Sequence, residues 1–143
     1  MRRILEAGRV AGSAKNRQPW RFVVLDDPGL RERVAETVYA PGNIQGGKLA
    51  VAIVVTGSPA FDAGRAAQNM MLAAWNDGVT SCPNGMPDAE RTGELVGLGD
   101  EERVINILSF GYPARERSPE DRSSEEWLAR AKRKPGDEVV ERR

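Results

Sequence analysis

The residues able to do chemistry are few. The chain has no histidine and a single cysteine, Cys82. Without histidine there is no Ser-His-Asp or Cys-His nucleophile system, and most catalytic zinc sites lose their usual ligand. One cysteine excludes an intramolecular disulfide, a Cys-x-x-Cys redox pair and a structural zinc site. Cys82 itself reads as a small packing residue, because no imidazole is present to generate its thiolate. Redox chemistry in this chain therefore has to come from a bound cofactor.

Several short segments carry the remaining chemistry. Ser13-Ala14-Lys15 would be a weak serine-lysine pair, since no glycine-flanked nucleophile elbow surrounds Ser13. Gly42 to Lys48 (GNIQGGK) has the spacing G-x-x-x-x-G-K, but Leu49 stands where a hydroxyl should hold magnesium. The segment also precedes a predicted strand instead of joining a strand to a helix, so a P-loop is rejected. No G-x-G-x-x-G follows a predicted strand, which argues against a Rossmann site. The basic run Arg130 to Lys134 (RAKRK) is open to three readings: a nucleic-acid patch, a solvated end or a phosphate clamp. Nucleic acid is the weakest of these without a wider basic surface.

Four features together suit a flavin. The loop Ser13 to Gln18 offers a hydroxyl, an amide and backbone N–H groups with little bulk, fit for a ribityl chain and a pyrimidine edge. Pro83-Asn84-Gly85 reads as a tight turn whose N–H groups can approach an isoalloxazine ring. Lys132 and Arg133 offer charge for a phosphate. An alanine-rich helix from Asp62 is apolar enough to lie under a sheet or along a dimer seam.

The elements that must position these groups follow from periodicity. Arg3 to Val10 predicts a helix, and Gly12 to Gln18 a loop closed by Pro19. Trp20 to Leu25 (WRFVVL) has the β-branched and aromatic content of a strand. Asp26-Asp27-Pro28 caps a helix continuing over Leu30 to Tyr39. A glycine-rich loop, Pro41 to Gly47, leads into the most hydrophobic strand, Ala50 to Val55. Phe61 to Asp77 is the longest helical pattern, stopped by Gly78. Val79 to Met86 predicts a short strand or extended loop, Asp88 to Val96 a helix and Val104 to Phe110 the last strand. After Pro113 the chain is charged and extended, apart from a short helix around Ser124 to Ala131. The expectation is one α/β (α+β) domain over residues 1–143, a mixed sheet flanked by helices, with an extended charged C-terminal tail from about residue 114.

Composition agrees with that size and class. Of 143 residues, 40% are hydrophobic and 29% charged, ordinary values for one globular domain. Twenty-one basic and 21 acidic side chains cancel, so nothing global draws the chain to nucleic acid or anionic lipid. No apolar run reaches membrane-spanning length, and Glu6 and Arg9 interrupt any signal-peptide core. The expected location is cytoplasmic, with no nucleic-acid or membrane partner and no metal.

In sequence order, Ile4-Leu5-Glu6-Ala7, then Gly12-Ser13-Ala14-Lys15-Asn16-Arg17-Gln18-Pro19-Trp20-Arg21-Phe22, resemble the first signature of the FMN-dependent nitroreductase family. That signature is a helix ending I-L-E-A-A, a loop P-S-A-x-N-x-Q-P-W and a strand starting W-x-F. Asp62 to Gly78 is similar to the family's central helix, and Phe110-Gly111-Tyr112-Pro113 to the end of its core strand. Lys132-Arg133-Lys134-Pro135 with Glu138-Val139-Val140 resembles its C-terminal basic motif. Two departures stand out. Gly12 replaces a proline, and no R-R-S-x-R stretch precedes the first helix, so the resemblance is to a short, N-terminally truncated member.

The resemblance implies a homodimer with two FMN sites at the subunit interface, the central helix forming much of the seam. It also implies a ping-pong NAD(P)H oxidoreductase, with NADH or NADPH as reductant and a nitroaromatic, quinone or similar acceptor. The flavin carries the chemistry, so no catalytic side chain is expected. Position by position, Ser13, Ala14 and Asn16 would touch the flavin or its ribityl chain. Pro83, Asn84 and Gly85 would border the ring, where backbone donors stabilise charge on the reduced form. Lys132 and Arg133 would reach the phosphate, with Asn43 and Lys48 as further candidates near the ring. The alternative is a non-catalytic or flavin-binding-impaired relic of the fold, lacking the N-terminal phosphate-binding arginines.

Overall fold

The run LAVAIVVT at Leu49–Thr56 is β-branched over most of its length and forms the strand on which the other elements are laid. The computed structural model describes residues 1–115 and 118–143. In chain order its elements are α1 (Arg2–Arg9), β1 (Trp20–Val24), α2 (Pro28–Ala35), α3 (Pro41–Gln45), β2 (Leu49–Thr56), α4 (Ala60–Asn76) and β3 (Thr80–Asn84). Then come α5 (Ala89–Val96), β4 (Glu102–Gly111), α6 (Ser124–Ala131) and α7 (Gly136–Val139). Short 3-10 turns occupy Ala14–Asn16 and Pro119–Asp121.

The sheet has four strands in the order β1-β2-β4-β3. Seven consecutive residues of β2, Leu49 to Val55, are buried, because both faces of the sheet are covered. Ala50, Ala52 and Val54 face a cluster with Leu25, Val34, Ala35, Ile44, Val96 and Ile107. Leu49, Val51, Ile53 and Val55 face the other way, against Ile4, Ala63, Met70, Ala74, Leu108 and Phe110. The period-2 alternation of a strand thus feeds two cores, and each buried Val, Leu or Ile contributes roughly 1.5–3 kcal/mol.

The α+β class and the helix-flanked sheet are as the sequence predicts, but the sheet is not mixed. All three strand pairings are antiparallel. The reason is topological. Helix α4 carries the chain from β2 back to β3 in the same direction, and β4 then inserts between those two strands.

Two local expectations also change. The loop at Pro41 to Gly47 contains the short helix α3, started by Pro41 at its first position. Pro83-Asn84-Gly85 is not a turn. Pro83 and Asn84 end β3, paired with Leu108 and Ile107, and a proline is tolerated there because β3 is an edge strand. The helix expected at Ser124 to Ala131 is present, its Ser123–Glu126 capping box intact.

On one face α1 and α4 cross closely. A side chain at Gly8 would lie 2.8 Å from Met70 Cγ and Sδ and 2.9 Å from Phe22 Cζ, so only glycine lets α1 approach this far. Arg3 pairs with Asp77 at 3.0 Å at one end of this helix pair. On the opposite face the Thr37 and Thr92 hydroxyls, 2.6 Å apart and buried, tie the segment after α2 to α5. No helix among the described residues is long and apolar enough to cross a membrane.

Candidate functional site

The segment between α1 and β1 has unusual backbone geometry. Lys15, Asn16 and Gln18 have φ of 52°, 55° and 48°, a left-handed conformation costing a non-glycine residue roughly 1–2 kcal/mol. All three are exposed, so packing does not hold them there. Hydrogen bonds do. The Gln18 N–H donates to Ser13 Oγ at 2.8 Å, Asn16 N–H to Ser13 O at 3.0 Å and Arg17 N–H to Ala14 O at 3.1 Å. The Ala14 N–H donates to Asp62 Oδ2 at 3.0 Å, across 48 positions of chain. Non-glycine residues held at positive φ concentrate where binding loops are pre-shaped.

Asp62 lies in the first turn of α4 and is only 9% exposed. Its other oxygen sits 3.9 Å from Arg65 Nη1. The Arg65 guanidinium rests over Gly12, where an added Cβ would be 2.7 Å from Arg65 Nη2. Gly12, Ala14, Asp62 and Arg65 form one connected cluster.

A second group gathers around β3. Asn43 Nδ2 donates to Asn84 Oδ1 at 3.1 Å and lies 3.4 Å from Cys82 Sγ. Asn84 is 3% exposed, and its Nδ2 is within hydrogen-bond distance of Ile107 O at 3.0 Å, Cys82 O at 2.9 Å and Ser109 Oγ at 3.1 Å. Its side chain is consumed inside the fold, leaving main-chain atoms and the exposed Pro83 and Gly85 at the surface. Gly85 O accepts from Tyr39 N–H at 3.1 Å. Lys48 is exposed, its own N–H given to Phe110 O at 2.7 Å. The loop carrying Asn43 and Lys48 is braced by Arg31, which donates to Ile44 O at 2.9 Å and to Gly47 O. A shallow cavity of about 320 Å³ lies here, bordered by Asn43, Gly46, Thr80, Cys82 and Ser109.

Lys132 and Arg133 follow α6, and both are exposed, with no side-chain hydrogen bond or ion pair among the described residues. Helix α6 touches the body through Trp127, edge-on to Trp75 of α4 at 5.8 Å and 86°.

The structure does not bring the sequence-predicted residues into one place. The Ser13–Asn16 loop leads to Trp20, opposite Val55, whereas Lys48 precedes Leu49, opposite Phe110. These are opposite ends of β2, roughly 20 Å apart at about 3.4 Å per residue. The donor set suits a flavin nucleotide, with amides and backbone N–H groups for its ring and ribityl chain and cations for its phosphate. The loop residues and the Asn43–Lys48 group of that set lie near opposite ends of β2.

A cleft of about 920 Å³ adjoins the first group and is bordered by Ala14, Arg17, Trp20, Phe61, Asp62 and Glu102. At its edge Arg21 clamps Glu102 through Nε–Oε1 at 2.8 Å and Nη2–Oε2 at 2.6 Å. That guanidinium, helped by the Gly99 N–H, pulls the Glu102 carboxyl from 4.5 down to about 2. Among the described residues no group of His, Cys, Asp or Glu could hold a metal ion.

Sequence reasoning missed Asp62 and Arg65 as neighbours of the loop. The signal available was slight. An acidic residue three positions before a basic one, near a helix start, reads as an ordinary surface pair.

Comparison with known proteins bears on this arrangement. The sequence model of the Nitroreductase family matches residues 1–55 and 56–112. An Archaeoglobus fulgidus protein named "Putative NADH dehydrogenase/NAD(P)H nitroreductase" is 33% identical over 129 residues, covering 80% of this chain and 73% of that protein. The crystal structure of nitroreductase A from Vibrio parahaemolyticus superposes with a TM-score of 0.81 at 22% identity, over 97% of this chain and 63% of that one. Iodotyrosine deiodinase, solved with FMN and 3-iodo-L-tyrosine, superposes with a TM-score of 0.71 at 20% identity, over 85% and 82% of the two chains.

Proposed function

The chain belongs to the Nitroreductase family, a family of flavin-type oxidoreductases, and on that premise we propose that it is an FMN-dependent NAD(P)H oxidoreductase working as a homodimer. The observation that carries this reading is the division of flavin-suited groups between opposite ends of β2. A second copy of the chain, related by a two-fold axis, brings the loop of one protomer to the Asn43–Lys48 end of the other and makes two equivalent sites. The FMN in iodotyrosine deiodinase supports the choice of flavin, and the name of the Archaeoglobus relative supports NAD(P)H as reductant.

A bound FMN would supply the hydride and electron-transfer chemistry that links a nicotinamide reductant to a nitroaromatic, quinone or similar acceptor. The chain's own residues bind and orient it. Ser13, Ala14 and Asn16 present a hydroxyl, a pre-shaped main chain and an exposed amide. Pro83, Asn84 and Gly85 offer main-chain surface, since the Asn84 amide is already spent. Asn43 and Lys48 flank that edge, and Lys132 and Arg133 supply charge for the phosphate. The absence of histidine is compatible with this chemistry, because the flavin itself carries the hydride.

A visible spectrum of the purified chain tests the reading. The expected result is flavin absorbance, present on isolation or gained on adding FMN, followed by bleaching with NADH or NADPH and reoxidation by a quinone. A chain that stays colourless with excess FMN overturns the enzyme and leaves the flavin-impaired relic.

A further inference from the structure

We infer that Asp62 is a positioning residue for the flavin-facing loop, holding Ser13 and Asn16 at the height from which they can meet the cofactor. The inference rests on the proposal that this loop forms part of a flavin site. Its ground is the way the loop is fastened. Lys15, Asn16 and Gln18 hold a left-handed backbone while exposed to solvent. The bonds from Gln18 N–H to Ser13 Oγ, Asn16 N–H to Ser13 O and Arg17 N–H to Ala14 O close the turn on itself. None of these fixes where the turn sits relative to the body of the protein. The bond from Ala14 N–H to Asp62 Oδ2 does, because Asp62 belongs to α4 and is nearly buried.

The bland reading of Asp62 is an acidic residue placed near a helix N-terminus to offset its dipole. Its hydrogen bond goes elsewhere. The α4 N-cap, Pro59, makes no side-chain capping bond, and the Asp62 oxygen is turned to Ala14. Arg65 balances the carboxylate from the far side, seated on the bare Cα of Gly12. The loop is thus gripped at both of its early residues by one turn of α4, the helix that also borders the 920 Å³ cleft through Phe61 and Asp62. Removing the acceptor should release the turn while the buried face of α4, formed by Ala63, Ala66 and Met70, stays packed.

The test uses the full chain, Asp62→Ala and Asp62→Asn, FMN titration by flavin fluorescence, and amide hydrogen exchange. Asp62→Ala is expected to weaken FMN binding by about tenfold, the scale of one lost charge-assisted bond. Deprotection should be confined to peptides covering residues 13–18. Asp62→Asn keeps an oxygen for Ala14 N–H and should stay within roughly threefold of wild type. A structural role alone predicts lower stability with FMN affinity unchanged, and that result overturns the inference. So does an Asp62→Asn chain that loses FMN while its loop stays protected, since charge rather than position would then be at work. If Asp62→Ala fails to fold, Asp62→Asn decides by the same two readings. A wild type that binds no FMN sinks the flavin reading and this inference together; tight binding by both wild type and Asp62→Ala sinks the inference alone.

Discussion

Glu102 shows how one contact can be read out through pH. Arg21 lowers its carboxyl from 4.5 to about 2 by a bidentate hydrogen bond, and Gly99 N–H adds a second donor. A carboxyl whose folded pKa is depressed stabilises the fold fully above its unfolded value. Its contribution is lost as pH falls from about 4.5 toward 2. Glu102→Gln should therefore melt lower than wild type at neutral pH, with the gap closing as the solution is acidified through that window. Thermal melts at stepped pH check this. The pair is partly solvent-exposed, so added salt should narrow the gap as well. At this scale the sequence was legible in type but not in use. Asn84 reads as part of a tight turn offering backbone N–H groups to a ring, yet it ends β3 and its side chain is spent on Ile107, Ser109 and Asn43. Nothing in Pro-Asn-Gly distinguishes a turn from the end of an edge strand, because the deciding partner, β4, lies more than twenty positions away.

Between elements, the contact of α1 with α4 sets two effects against each other. Gly8→Ala gains up to about 1 kcal/mol of helix propensity. The added methyl would meet Met70 and Phe22 at 2.8–2.9 Å. Met70 is fully buried, so its side chain has no free space to enter, and overpacking of this kind costs roughly 1–3 kcal/mol. Crowding wins, and Gly8→Ala should lower the urea midpoint without changing the slope of the transition. A midpoint at or above wild type would show that α1 can move away from α4. Elements with their own periodicity were the readable ones. Leu49–Thr56 and Ala60–Asn76 follow from hydrophobic pattern alone. The left-handed loop does not, since its turn is closed by bonds within the loop and fastened to the body through Ala14 and Asp62. A local reading of Pro41–Gln45 as loop failed for a related reason. Arg31, ten positions earlier, braces the carbonyl of Ile44 within this short helical turn and that of Gly47 just after it.

For the whole molecule, the decisive property is that one chain carries its candidate flavin-binding residues near opposite ends of β2, about 20 Å apart. The family pattern was visible in GSAKNRQPWRF, but sequence order places no residue in space, so this separation needed the fold. It leads to a test that does not depend on knowing the acceptor. One variant carries Ser13→Ala with Asn16→Ala and damages only the loop half. Another carries Lys132→Ala with Arg133→Ala and damages only the phosphate half. If each site is built from the loop of one protomer and the cations of its partner, each variant alone is defective at both of its sites. Co-expressed, half of the assemblies are mixed, and each mixed dimer contains one site made wholly of wild-type parts. Flavin binding should then return to about one quarter of the wild-type stoichiometry. Complementation that is absent while the two variants demonstrably co-purify would place both halves within one protomer. The chain would then need to close over the cofactor by a rearrangement of α6 and the basic residues that follow it.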